Sequence, residues 1–262
     1  MEKSAFPRLF CAITPNEAQD LAQWPLEPVW MAYRAGDGPR LYRAAPPESI
    51  SGGVLAAEDS RLRQVGGSAV FCQQAVRECK ARGAAGFWAN WSRPAEGAMS
   101  ALTAELDATL SRQGLALWVG EAYGPGCPTA QVLVSSALSG GTLKGRLGEA
   151  MERLSGNRVV LAVERMAADF ALPAVNGQGQ PLTPRELAAL REQYRPKRWY
   201  SGELCAWYFT YEREGQVHLV LYDDGESIRR KLLLAKELGV AQALVAWAEV
   251  KDCVEVIFAA KG

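Results

Sequence analysis

The sequence of 262 residues holds a single histidine, His218, and no Cys-x-x-Cys pair among its six cysteines. A zinc site built from imidazole and closely spaced thiolates therefore lacks its parts. Cys11, Cys72, Cys79, Cys127, Cys205 and Cys253 stand mostly in apolar contexts and are expected to be buried free thiols. His218, in an alternating run, is expected to be an ordinary surface or hairpin side chain. Excess charge is missing too: 29 basic residues balance 29 acidic ones, with no long basic run. That excludes a nucleic-acid or anionic-membrane partner held by bulk electrostatics. No apolar run approaches membrane-spanning length, and Met1 to Pro7 is short and polar where a signal peptide would be positive and then apolar. The expectation is a cytoplasmic protein with no membrane insertion. Gly140-Gly141-Thr142-Leu143 precedes a helix but lacks the further glycines and the lysine of a nucleotide loop, and no cofactor is expected.

What is present is a large apolar fraction, 48%, enough for a sizeable core. Short runs of continuous apolar character at residues 8–14, 29–34, 53–57, 86–91, 115–123, 131–136, 158–164 and 241–249 read as strands. Between several of them lie helical periodicities, at 69–82, 98–113, 143–154 and 226–238. Continuous apolar strands alternating with helices predict a parallel sheet covered on both faces. The fold class is therefore α/β, an irregular (β/α)8 TIM-type barrel forming one domain over residues 1–262. A small α+β insertion at about 172–222 precedes the last barrel helix and strand, and is expected to wall the cleft at the carboxyl ends of the strands. Helices are thin after the second, fifth and eighth strands, and Cys253 to Ala259 reads as an extra strand or tail.

One stretch, Ala84-Ala85-Gly86-Phe87-Trp88-Ala89-Asn90-Trp91-Ser92-Arg93-Pro94, has the shape of a catalytic strand without carboxylates. It resembles the fourth barrel strand of the family 18 glycoside hydrolases, where a glycine-led strand carries Asp-x-x-Asp-x-Asp-x-Glu near a proline. The acidic positions of that pattern fall on Ala85, Trp88, Asn90 and Ser92. The family's glutamate protonates the leaving oxygen and its preceding aspartate steers the substrate's N-acetyl group. A hydroxyl at Ser92 is far too weak an acid for that transfer. Arg158 to Pro173 is similar to the family's seventh-strand segment, with Glu164 where proline is usual and Met166 for tyrosine. Residues from Trp207 to Trp247 resemble the carboxyl-terminal part of the spore-type, peptidoglycan-active subgroup. At the sixth strand Val134-Ser135-Ser136-Ala137 replaces the family's Met-x-Tyr-acid run.

The resemblance implies a degenerate glycosidase, with no catalytic residue at the usual positions. Its partners would be an N-acetylated glycan or peptidoglycan fragment, or a protein, and a spore-associated location follows from the subgroup. Trp88, Asn90, Ser92 and Ser136 would border the cleft. Trp247 either floors the sugar subsite or fills barrel core, and Trp88 either fills volume or stacks on a sugar. Glu121, Glu164 and Glu249, near the carboxyl ends of three strands, supply the alternative of an active enzyme with relocated carboxylates. Asp223 and Asp224 are expected to position the helix that follows them.

Overall fold

The apolar runs pair in parallel and close on themselves. The computed structural model describes residues 6–44, 50–174, 177 and 179–259. The chain enters through β1 (Arg8–Ile13), the single-turn α1 (Ala18–Leu21) and β2 (Glu27–Gly36). A short strand, β3 (Arg40–Arg43), folds back antiparallel on β2 outside the barrel. There follow β4 (Val54–Arg61), α2 (Ala69–Arg82), β5 (Gly86–Asn90), α3 (Gly97–Ser111), β6 (Ala116–Gly120), β7 (Gln131–Ser135), α4 (Leu143–Leu154) and β8 (Val159–Val163). Five strands then leave the barrel: β9 (Ala167–Ala171), β10 (Gln180–Pro181), β11 (Trp199–Ser201), β12 (Ala206–Arg213) and β13 (Gln216–Tyr222), in the order β10-β9-β13-β12-β11, with α5 (Pro184–Tyr194) packed on them. The chain returns through α6 (Gly225–Glu237) to β14 (Gln242–Ala246), and ends in α7 (Trp247–Val250) and α8 (Val254–Phe258). β14 lies parallel to both β8 and β1, and β1 to β2, so eight strands form a closed ring. Residues from the first fifty positions thus complete the barrel, and the fold is the irregular (β/α)8 barrel with an α+β insertion.

Two-residue alternation divides each strand between two cores. Phe10, Val29, Val54, Ala56, Trp118, Leu133, Val160 and Leu244 point inward, with the Phe10 and Trp118 rings edge to face at 4.7 Å across the interior. Their neighbours, such as Cys11, Leu55, Phe87 and Val119, face the helices. Gly86 starts β5 because the Ala116 carbonyl oxygen would lie 2.4 Å from any Cβ there. Gly83 ends α2 at φ +61°, donating its N–H to the last carbonyls of the helix, as the sequence predicts.

Three expectations need correction. Cys253 to Ala259 is neither strand nor tail: Val254–Phe258 is helical, and Cys253 and Val256 pack against Gly225 at the start of α6. The excursion starts at Ala167, earlier than expected, because Ala167–Ala171 pairs with β13 over its whole length. His218 does lie in a hairpin, on β13 opposite Tyr211 on β12, but it is buried and not on the surface: its Nδ1 is 3.0 Å from Asp169 and its ring stacks on Tyr211, whose hydroxyl donates to the same carboxylate at 2.6 Å.

The segment Asp223-Asp224 ties the excursion to α6. Asp224 caps the helix, accepting from the Ser227 N–H at 3.0 Å. Asp223 is fully buried and accepts from Lys231 Nζ at 2.7 Å, Ser227 Oγ at 2.8 Å and the Met166 N–H at 3.0 Å. Lys231 is likewise fully buried, so one ion pair sits out of contact with water.

All six cysteines are free and buried. Burial pushes the thiols of Cys11, Cys72, Cys79 and Cys127 up to about 12. Unfolded, each ionises near ~8.5. The folded state therefore keeps protons that the unfolded state releases, and this stabilisation is complete below about pH 8.5 and drains as pH rises toward 12. The expected result is a Tm that falls progressively above about pH 9. Calorimetry across that range checks it, and a Tm flat to pH 11 would contradict it.

Candidate functional site

A cavity of about 440 Å3 opens at the carboxyl ends of the barrel strands, within the size range of small-ligand sites. Its walls are the upper inward positions of six strands. Small side chains there, Ala12, Gly120, Ala162 and Ala246, leave the space that Trp88, Leu133 and Leu244 border with apolar surface. Polar groups arrive on the same face: Asn90 at the end of β5, Ser135 at the end of β7, Glu121 just past β6, Glu164 just past β8 and Glu249 in α7.

Five of the eight candidate residues thus meet at one cavity: Trp88, Asn90, Glu121, Glu164 and Glu249. Three do not line it. Ser92 lies beyond the end of β5, where its hydroxyl donates to Asp59 Oδ1 at 2.8 Å. Asp59, buried on β4, also accepts from the backbone N–H groups of Ser92 and Arg93 at 3.0 and 3.2 Å, which pins the β5–α3 loop. Ser136 is fully buried, and its Oγ accepts from the Glu164 N–H at 3.2 Å; the two-residue period of β7 turns Ser135 inward instead. Trp247 is buried in the outer core between barrel and helices and does not line the cavity.

The three glutamates differ in environment. Glu121 is clasped by Arg146 and Arg153, both on α4, and each of its oxygens meets a guanidinium group. Glu249 accepts the Arg165 N–H at 3.0 Å through Oε2, and Arg165 in turn donates to the Glu249 carbonyl and to Asp252. Glu164, exposed at the rim, has no hydrogen bond or ion pair through its carboxylate among the described residues. Because Glu249 holds the amide next to Glu164, these two carboxylates share one wall, while Glu121 is engaged on another.

Sequence reasoning missed Ser135, Leu133 and Leu244, although counting every second residue from Gln131 and Gln242 would have found them. It also placed the insertion at the cleft, whereas none of the described residues between 167 and 222 lines the cavity. Among the described residues no group of three or more His, Cys, Asp or Glu side chains is placed to hold a metal ion, and no helix is long and apolar enough to cross a membrane.

No family model matches the sequence, and no curated protein matches it. Solved structures do. The spore cortex-lytic enzyme SleL of Bacillus cereus superposes with a TM-score of 0.66 at 14% identity, over 97% of this chain and 74% of that one. A chitinase from Chromobacterium violaceum gives 0.65 at 14%, covering 95% and 99%. A class V chitinase from Nicotiana tobaccum gives 0.66 at 11%, covering 97% and 99%. At these identities the common property is architecture. The stretch read as a fourth strand is the fourth strand of the ring, those read as sixth and seventh are β7 and β8, and the chain has the barrel fold of the chitinase-type family 18 glycoside hydrolases.

Proposed function

We propose that this chain is a non-hydrolytic glycan-binding barrel whose ligand is an N-acetylated sugar chain of the chitin or peptidoglycan type. The observation that carries the reading is the cavity itself. It lies at the carboxyl ends of the strands with a largely apolar lining, which suits a sugar ring, yet the end of the fourth strand offers it the amide of Asn90, while the hydroxyl of Ser92 is tied to Asp59. Neither group protonates a glycosidic oxygen at neutral pH. A spore or cell-wall setting is part of the proposal, supported by the likeness to a spore cortex-lytic enzyme.

Titration calorimetry with N-acetylglucosamine oligomers is the direct test. Trp88→Ala, which removes one of the two tryptophans lining the cavity, is expected to weaken binding at least about tenfold, or about 1.4 kcal/mol. Equal affinity in that variant would move the site away from this cavity.

A second reading, a glycosidase with relocated carboxylates, is favoured by Glu164 and Glu249 sharing one wall, the first of them unpartnered. It predicts shortened oligomers by mass spectrometry after long incubation, lost in a Glu164→Gln/Glu249→Gln variant. Intact oligomers under the same conditions leave the binding reading in place.

A further inference from the structure

We propose that the last turn of α5 and the segment after it form a binding site for phosphate-type oxyanions, separate from the barrel cavity. A hollow of about 420 Å3 lies there, with buried Phe209 in its lining and Arg191, Arg195 and Arg198 around it. The single carboxylate among the lining residues belongs to Glu192. Arg195 adopts a left-handed conformation, φ +42° and ψ +49°, so the helix stops and the chain turns at that point, and Pro196 and Arg198 border the same hollow as Arg191.

Three like charges around one concavity repel one another, and their partners are few. Among the described residues Arg198 alone of the three reaches a carboxylate, that of Asp224, at 3.7 Å. That carboxylate already accepts from the Ser227 N–H and the Trp207 indole N–H. A helix carboxyl terminus attracts a cation within its last turn, which accounts for Arg191 or Arg195 but not for three guanidinium groups. Two of them lie over aromatic rings as cation–π contacts, the Arg198 guanidinium carbon 4.4 Å from the Trp207 ring centroid and that of Arg191 5.7 Å from the Tyr222 centroid. A cation–π contact uses none of the guanidinium N–H donors, which stay available to an anion. One fork satisfies a planar carboxylate, whereas three guanidinium groups bordering one hollow suit a tetrahedral anion with oxygens in several directions. The chemistry therefore selects a phosphate-type group, carried either by a small molecule or along a polymer.

Titration calorimetry at fixed ionic strength, with inorganic phosphate, pyrophosphate and linear polyphosphate as probes, tests the proposal. Pyrophosphate is expected to bind at about 1 mM or tighter. Arg191→Gln/Arg195→Gln is expected to lose at least about tenfold while melting as the parent does, and Arg198→Gln to give a smaller loss. A polymer source is indicated if polyphosphate binds more tightly per phosphate than pyrophosphate, a small-molecule source if it does not. No detectable binding of any probe, or binding unchanged in both variants, overturns the assignment. Binding of N-acetylglucosamine oligomers, being at another site, should be the same in all three proteins.

Discussion

Asp223→Ala is expected to destabilise the protein by about 3–5 kcal/mol, because it strands the ammonium of Lys231 in a fully buried position. The aspartate also accepts from the Met166 N–H and from Ser227 Oγ, so its removal leaves the Met166 N–H without that acceptor, while the serine hydroxyl still has the Asp224 carbonyl at 3.0 Å. Urea denaturation of the variant gives the number directly. An Asp223→Leu/Lys231→Met protein, which removes both charges, should recover much of the loss, since a buried pair replaced by apolar groups is often near neutral. A loss below about 1 kcal/mol in the single variant would mean that Lys231 escapes to water, contrary to its burial. The site of the damage is specific: Met166 directly precedes the excursion and Ser227 lies in the first turn of α6. The first changes in hydrogen exchange are expected at those two junctions.

Asp59→Ala is the second large change, expected to cost about 3 kcal/mol. Its carboxylate is buried and collects the Ser92 hydroxyl together with two backbone N–H groups. Without it the loop after β5, which follows Trp88 and Asn90 in the chain, is held by the Tyr123 hydroxyl on the Arg93 and Pro94 carbonyls and by Arg93 on the Leu62 carbonyl. Ser92→Ala is the matching control. It removes one hydroxyl and keeps both backbone bonds, with an expected cost of about 1 kcal/mol. If the two variants melt alike, the aspartate is no anchor. A glycan affinity that falls in Asp59→Ala and holds in Ser92→Ala would connect this loop to the proposed binding function.

Much of the barrel was legible because its strands are buried on both faces. Such strands are written as unbroken apolar runs, and helices such as α2 and α4 have clear periods and well-marked ends. The errors fall where tertiary contacts override local preference. Ala167–Ala171 has a composition with little β propensity and becomes a strand because β13 supplies a partner along its full length. Val254 to Phe258, Val-Glu-Val-Ile-Phe, is rich in β-branched and aromatic residues, a strand composition, but its packing against α6 makes it helical. At the site, the residues on the inward period of β5 and β8 were found, since alternation is local. The engagement of Glu121 was not, because Arg146 and Arg153 come from a helix that follows the next strand. The hold of Asp59 on Ser92 joins neighbouring strands through a loop and is equally invisible to any local pattern. Trp247 shows the converse: its type suits a sugar floor or a core, and only the direction of α7 decides.

The closure of the ring by β1 against β14 sets a constraint on how this chain acquires its structure. These two strands are separated by almost the whole length of the described chain, yet each is the other's hydrogen-bonding neighbour. A ribosome delivers β1 long before β14, so Phe10 and Cys11, buried in the finished barrel, wait for the rest of the ring before both edges of their strand are covered. Contacts of such span are slow to form and leave an unpaired strand edge in the meantime. The seam is thus the step at which synthesis, folding and misassembly compete. A circular permutant that brings β14 and β1 together in sequence would convert the longest-range pairing of the molecule into a local one.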